Sequence, residues 1–206
     1  MKIHHINFEL AKFFYEKCHK TNKPPVGHKA SYVGLLGDDW HCLTDVEPYI
    51  EDLPSSWLDD SNHDIRVRSN DNFDWCLYTR GQIVGICSIG RPVARWKDLD
   101  VHEITRICFN FHPQSNKEKK YFSKLVREAI KDFSYNHEVS KFVTYIHDYQ
   151  KGRYLEYAGF EKDKHVKYSK NSKGWGTRNN RSFSDLRPKY RFVKNNTCIN
   201  VNKCYY

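Results

Sequence analysis

Three short blocks, far apart along the chain, hold the residues best suited to chemistry. They are Pro24-Pro25-Val26-Gly27-His28-Lys29, Gly90-Arg91-Pro92-Val93-Ala94-Arg95 and Glu103-Ile104-Thr105-Arg106. His28 follows a Pro-Pro-x-Gly turn that fixes its direction, and an imidazole titrates near neutral pH. It suits a general base or a metal ligand; a surface loop histidine is the bland alternative. Lys29 suits a phosphate or an acyl oxygen, or is a solvated charge. Arg91 stands just beyond an apolar run and ahead of a proline, a good place for a bidentate grip on phosphate or carboxylate. A salt bridge to Asp98 or Asp100 is its other reading, and Arg95 reads as a surface charge. Glu103 and Arg106 lie among Ile104, Ile107 and Phe109, and a buried unpaired charge is very costly, so both need partners. Strict alternation puts Glu103 and Thr105 on one strand face, with His102 and Arg106 on the other. Glu103 reads as a catalytic carboxylate and Arg106 as a structural or donor-binding cation, with local ion pairs the alternative for both.

Further along, Tyr145 shares a strand face with His147. Its phenol suits protonating a leaving group or stacking on a base; a core tyrosine is the equal alternative. Asp148 ends that strand and suits assisting a base or a metal, or simply a turn. From Lys170 to Arg191, aromatics alternate with cations. Trp175, Arg178, Arg181, Arg187, Lys189 and Arg191 form the candidate nucleic-acid surface, since cations beside aromatic platforms suit phosphate contact with base stacking. The alternative is a solvated basic tail whose aromatics pack on the core.

The elements that must position these residues are legible in the periodicity. The 206 residues read as a single domain over 1–193, with an insertion or long loop at 37–72 and a tail at 194–206. Ala11, Phe14, Tyr15 and Cys18 mark a helix over 8–20. Trp75 to Thr79 and Ile83 to Ile89, with Arg80-Gly81 between, read as a hairpin. Val101 to Phe109 is a strand. Phe122, Leu125, Val126, Ala129, Ile130 and Phe133 form the apolar stripe of a long helix whose charges keep to the other side. Phe142 to Ile146 is a strand, 151–157 a short helix with Gly159 as its left-handed cap, and 166–168 and 190–193 are late strands. This order gives an α/β chain with a mixed sheet, in which a strand-helix-strand unit makes parallel neighbours. Such sheets take ligands at strand carboxyl ends, here Gly90-Arg91, Phe109-Asn110 and His147-Asp148.

Composition narrows the partners. Aromatics make up 15% and charged residues 29%, which excludes a disordered chain. A net charge of +9 favours an acidic partner, nucleic acid before anionic cofactors or membrane surfaces, with plain solubility the alternative. No apolar run is long enough for a signal peptide or a membrane span, so a cytoplasmic protein without a membrane partner is expected. Seven scattered cysteines without CxxC spacing fit reduced thiols, with Cys76, Cys87 and Cys108 in the core. No feature sets an oligomeric state.

The ordered blocks also carry a resemblance. The strand, loop and helix at 101–133, with Arg153-Tyr154-Leu155-Glu156-Tyr157-Ala158-Gly159-Phe160, resemble the GNAT-like acyltransferase fold. Pro24 to Lys29, Val84-Gly85-Ile86, Gly90 to Ala94, Glu103 to Cys108, Tyr145, Ala158-Gly159-Phe160 and Arg187-Pro188-Lys189-Tyr190-Arg191-Phe192 resemble a phage and prophage family related to the Mom DNA-modification protein of phage Mu. The likeness runs over roughly residues 8–192. It implies a GNAT-like mixed sheet flanked by helices and a host bacterial cytoplasm. It also implies transfer of a carbamoylmethyl-type group to the exocyclic amine of adenine, shielding phage DNA from restriction. The stretch Asn110 to Lys120 departs from the pattern, because it lacks the glycines with which such folds bring backbone amides to pyrophosphate. The donor is therefore open between acetyl-CoA and another activated acyl carrier, such as an aminoacyl-tRNA.

On this resemblance His28, Glu103 and Tyr145 are the expected catalytic residues, and Lys29, Arg91, Arg106 and Asp148 bind substrate or donor. Adenine's amine is a poor nucleophile, so the base must be unstacked, held on aromatics and offered a base and an electrophile-polarising group. Mom-like proteins have been linked to iron, and His28, Glu103, His147 and Asp148 are plausible ligands, but the spacing demands no metal. Two rivals stand beside this reading. One is an acyl-CoA acetyltransferase acting on a protein or small-molecule amine; the other is a non-catalytic nucleic-acid-binding or anti-defence protein on the same fold.

Overall fold

The structure, a computed structural model, describes residues 1–18, 27–43, 65–69, 75–92, 96, 100–110, 116–167 and 188–196. Its elements in chain order are β1 (Lys2–Ile6), α1 (Phe8–Cys18), β2 (His28–Leu43), β3 (Ile65–Ser69), β4 (Trp75–Gly90), β5 (Val101–Phe109), α2 (Asn116–Asn136), β6 (Lys141–His147), α3 (Arg153–Tyr157), β7 (Glu161–Val166) and β8 (Lys189–Asn195). One mixed sheet runs β1-β2-β4-β5-β6-β8-β7, with β3 paired to β4 beside this path. Every neighbouring pair is antiparallel except β5 and β6, which α2 joins as a parallel pair. This is the α/β class expected, a mixed sheet flanked by helices.

Two apolar clusters hold the helices on opposite faces. On one, Leu125, Val126, Ala129, Ile130 and Phe133 of α2 pack on Ala30, Tyr32, Cys87, Ile89, Ile104 and Phe142. These α2 residues recur every three or four positions, so one face of the helix meets the sheet. On the other face, Leu10, Ala11, Phe14 and Tyr15 of α1 pack on Val33, Leu35, Ile83, Ile86 and Cys108. Asn7 caps α1 by accepting from the Leu10 amide at 2.9 Å. At the end of α3, Gly159 adopts φ 87° and Phe160 N–H donates to Leu155 O at 3.0 Å, which satisfies carbonyls that a helix end leaves open. Among the described residues no helix is long and apolar enough to cross a membrane.

Several expectations are corrected. The hairpin at 75–89 is one continuous strand, β4. Gly81, at φ 110°, bends it against a matching irregularity in β2, where Gly37 has φ 89°. A Cβ on Gly81 would approach Gly37 O to 2.9 Å, so the two backbones press together and the pair bends without reversing. The start of the 37–72 stretch is the far half of β2, and Ile65–Ser69 within it is β3. β1 and the near half of β2 are strands that the periodicity does not announce. β7 falls at 161–166 and not at 166–168.

Candidate functional site

The Gly-His, Gly-Arg and Glu-x-x-Arg blocks do meet. His28 pairs with Gly90, and Gly90 pairs with Glu103 on the next strand. Gly27, at φ 70°, accepts a hydrogen bond from the Arg91 amide at 2.8 Å. Glu103 is only 7% exposed, whereas Arg91 and Lys29 reach solvent. Burial and then the nearby Arg91 charge lower the Lys29 ammonium pKa below the usual lysine range. Burial, then His5 on β1, lowers that of His28.

Bulges in the strands decide which way these side chains face. The β2 register shifts between His28 and Ala30, so His28 and Ser31 share a face despite being three residues apart. The β4–β5 register shifts between Ser88 and Ile89, which leaves Thr105 as the extra residue opposite them. Ser31, Ser88 and Arg106 become cross-strand partners in one row. Ile104 packs towards α2 and Tyr15 of α1 meets Ser88, so Glu103 and Arg106 both face the α1 side. Simple alternation separates them; the bulge at Thr105, whose hydroxyl donates to Ser88 O at 3.3 Å, reverses that expectation. His102 takes the opposite side, edge-on to Phe133 with ring centroids 4.9 Å apart.

On that α1 side a line of buried polar groups runs inward from His28. His28 Nε2 lies 2.8 Å from Ser31 Oγ, Ser31 Oγ 2.5 Å from Ser88 Oγ, and Ser88 Oγ 2.8 Å from the Tyr15 hydroxyl. Tyr15 also reaches Arg106 O at 3.4 Å. Sequence reasoning places Tyr15 on one face of the 8–20 helix and passes over both serines. The signal is present in Ala30-Ser31-Tyr32 and Cys87-Ser88-Ile89, where a hydroxyl interrupts an apolar run and must find a partner.

Next to this row the sheet opens. β5 and β6 pair from Val101↔Lys141 to Ile104↔Thr144 and no further, although β5 continues to Phe109 and β6 to His147. Arg106 lies on the β5 bank of this gap and Tyr145 on the β6 bank. Behind it, Phe109 stacks on Phe122 with ring centroids 3.7 Å apart and meets Tyr154 edge-on at 5.2 Å. Tyr145 pairs with Arg191 and His147 with Lys189, which places these two cations beside β6. Arg191 is bonded to Asp163 and lies 5.3 Å from the Trp96 ring centre.

Not every candidate converges. Glu103 pairs with Val143, and Asp148 lies five residues further along β6, about 16 Å at strand rise. Asp148 instead contacts His165 at 3.7 Å, tying the end of β6 to β7. The carboxyl ends named from the sequence also divide. β4 and β5 are antiparallel, so Gly90 sits by Glu103 while Phe109 sits by Gly85, at the opposite edge. The suggested iron ligands do not gather: no group of three or more His, Cys, Asp or Glu able to hold a metal occurs among the described residues. Trp175, Arg178, Arg181, Arg187, Arg95 and the stretch 111–115 lie outside the described residues.

No protein-family model matches the chain, and no curated protein matches it. Solved structures match in part. Aminoglycoside acetyltransferase AAC(6')-Ib in complex with coenzyme A is 19% identical over 59% of this chain and 64% of its own, with a TM-score of 0.41. An acetyltransferase of the GNAT family from Streptococcus pneumoniae is 12% identical over 66% of this chain and 68% of its own, also at 0.41. One from Bacillus anthracis is 14% identical over 56% and 60%, at 0.40. The match thus spans less than two thirds of the first and third of these proteins.

Proposed function

We propose that this protein is a GNAT-like acyl-type transferase whose donor lies in the gap between β5 and β6 and whose acceptor is the exocyclic amine of adenine in DNA. The observation that carries this reading is the parallel ladder that stops at Ile104↔Thr144, with Arg106 and Tyr145 on its two banks. An extended donor bearing amides can lie along such strand edges through main-chain hydrogen bonds. Its acyl carbon then sits where Glu103, Arg106 and Tyr145 flank the end of the parallel ladder.

The amine nitrogen attacks the acyl carbon. A nitrogen–carbon bond forms, the bond from carbon to the donor's sulfur or oxygen breaks, and one amine proton must leave. Glu103, a buried carboxylate beside the gap, takes that proton and passes it on by way of His28. Arg106 faces the developing negative charge on the acyl oxygen, and Tyr145 protonates the leaving group. Arg91 and Lys29 hold phosphate at the exposed end of the junction. The DNA arm of the reading is supported by the net charge of +9, by Lys189 and Arg191 on β8, across β6 from the gap, and by the family resemblance of the blocks. On this reading the product protects phage DNA from host restriction.

The test is mass spectrometry of nucleosides digested from the DNA of cells expressing the protein. A new adenosine-derived mass that vanishes with Glu103→Ala supports the reading. Unmodified DNA, together with acetyl-CoA consumed in acylating a protein or small-molecule amine, overturns the DNA arm and leaves the transferase. No transfer to any amine by a folded protein overturns both.

A further inference from the structure

The polar line beneath His28 is unusual for the places it occupies. Ser31, Ser88 and Tyr15 are each 0% exposed, at positions whose neighbours are apolar. Three buried hydroxyls are costly unless each is bonded. Here they bond to one another in series, from the half-buried His28 to Arg106 O in the Thr105 bulge. The Phe8 ring lies 4.7 Å from the imidazole by centroids, tilted by 49°.

A hydroxyl donates one hydrogen, so a head-to-tail relay along this line, with each hydroxyl donating once and accepting once, has two directions. In the first, Tyr15 donates to Ser88, Ser88 to Ser31, and Ser31 to Nε2 of His28. The imidazole is then neutral, with its proton on Nδ1. In the second, Nε2–H of His28 donates to Ser31, Ser31 to Ser88, Ser88 to Tyr15, and Tyr15 to Arg106 O. Only this second direction accommodates the imidazolium, because both its nitrogens carry protons. In that direction the Tyr15 hydroxyl accepts from Ser88 and passes the line on to Arg106 O.

We propose that Tyr15, Ser88 and Ser31 are positioning residues that set the tautomer and proton affinity of His28, and that couple its protonation to the Thr105–Arg106 bulge at the gap. The inference rests on the reading of His28 as a proton-handling group of the transferase. No bond to carbon changes. His28 takes a proton from the acceptor amine by way of Glu103, or from water, and the three hydroxyls turn in concert. Tyr15 stays protonated throughout, since burial raises its pKa well above the usual phenol range. Among the described residues, the other titratable or charged groups near this line are His5 on β1, which disfavours the imidazolium, Cys87, Cys108 and Arg106 around Tyr15, and Glu103 on β5.

The experiment is a nitrogen-15 NMR titration of the histidines in the full chain, with His28 assigned by its loss in His28→Gln. In the wild type the Nε2–H tautomer is populated. Tyr15→Phe leaves Ser88 without an acceptor in the second direction. The Nε2–H tautomer is then lost and the His28 midpoint moves to lower pH. Ser88→Ala breaks the line one step earlier and shifts both in the same sense, which covers the case in which Tyr15→Phe fails to fold. Tyr154→Phe, against Phe109 on the far face, leaves His28 unmoved. An unchanged tautomer and midpoint in folded Tyr15→Phe and Ser88→Ala overturns the proposal, as does an equal shift in Tyr154→Phe. A shift in a protein that transfers nothing upholds the coupling while sinking the transferase reading. If transfer is measured, the acid limb of its pH profile moves with the His28 midpoint.

Discussion

The amide of Arg91 donates to the carbonyl of Gly27 at 2.8 Å, and a Cβ placed on the intervening Gly90 would come within 2.4 Å of that same carbonyl. Two blocks more than sixty residues apart are therefore locked main chain to main chain. Nothing larger than hydrogen fits on Gly90 without moving Gly27, and with it His28.

Gly90→Ala should therefore cost about 1–3 kcal/mol in urea denaturation and lower transfer activity, because a backbone and not a flexible side chain must yield. Gly37→Ala is the comparison. Gly37 has φ 89°, and a Cβ there would meet nothing within 4 Å, so the change costs only left-handed strain, about 1 kcal/mol, and leaves activity intact. Equal stability and activity in the two variants would show that the close approach is wrong.

His102 makes stability depend on pH. It is 2% exposed, edge-on to Phe133, and burial first, then the charges of Lys29 and His137, lower its pKa to about 4. An imidazole in the unfolded chain titrates near 6.5, so between these values the unfolded state binds more protons. The stabilisation is complete above about pH 6.5 and is lost as pH falls towards 4. His28, also lowered, acts in the same direction. Unfolding free energy should drop by about 1 kcal/mol from His102 alone between about pH 7.5 and pH 5.5, a range in which most carboxylates are silent. His102→Phe, which keeps an aromatic against Phe133, should flatten that slope; an unaltered slope would rule out His102 as its source.

Much of this fold was legible because some residues answer to local periodicity alone. The stripe from Phe122 to Phe133 gives α2, and Gly159 marks the end of α3 by its need for positive φ. The faces of β5 were not legible. Thr105 looks like any strand residue, and only pairing with Ser88 and Ile89 makes it a bulge that turns Arg106 to the side of Glu103. Arg80-Gly81 looks like a turn, and only the opposing Gly37 reveals a bend in a continuous strand. The site was legible in part for the same reason. Motif blocks pointed to His28, Arg91 and Glu103, while Tyr15, Ser31 and Ser88 gain meaning only from contacts across α1, β2 and β4.

Glu103→Gln separates chemistry from binding. The amide keeps the size of the carboxylate in a place that is 7% exposed, so the fold should persist. The turnover rate should fall about 10²–10⁴-fold, the usual contribution of a positioned acid or base, with DNA affinity unchanged. Single-turnover kinetics beside a binding isotherm make the measurement. A loss confined to KM would move Glu103 from proton transfer to substrate binding.

The proposed DNA-facing role of Lys189 and Arg191 has a salt signature. Each phosphate neutralised by a cation steepens the dependence of log affinity on log salt by about 0.9 on duplex DNA. If both residues contact phosphate, replacing both with Ala should weaken binding and reduce the slope by about 1.8. Arg191 is not wholly available, because Asp163 holds its guanidinium. Asp163→Asn removes that competitor and should tighten binding, with little effect on stability, since an ion pair this exposed contributes at most about 1 kcal/mol. Arg178 and Arg181 belong to the same expectation, and their joint removal should flatten the slope further. Fluorescence anisotropy on one oligonucleotide across a salt series reads all three variants. Slopes identical to wild type in the Lys189, Arg191 pair would place the phosphate contacts elsewhere on the chain.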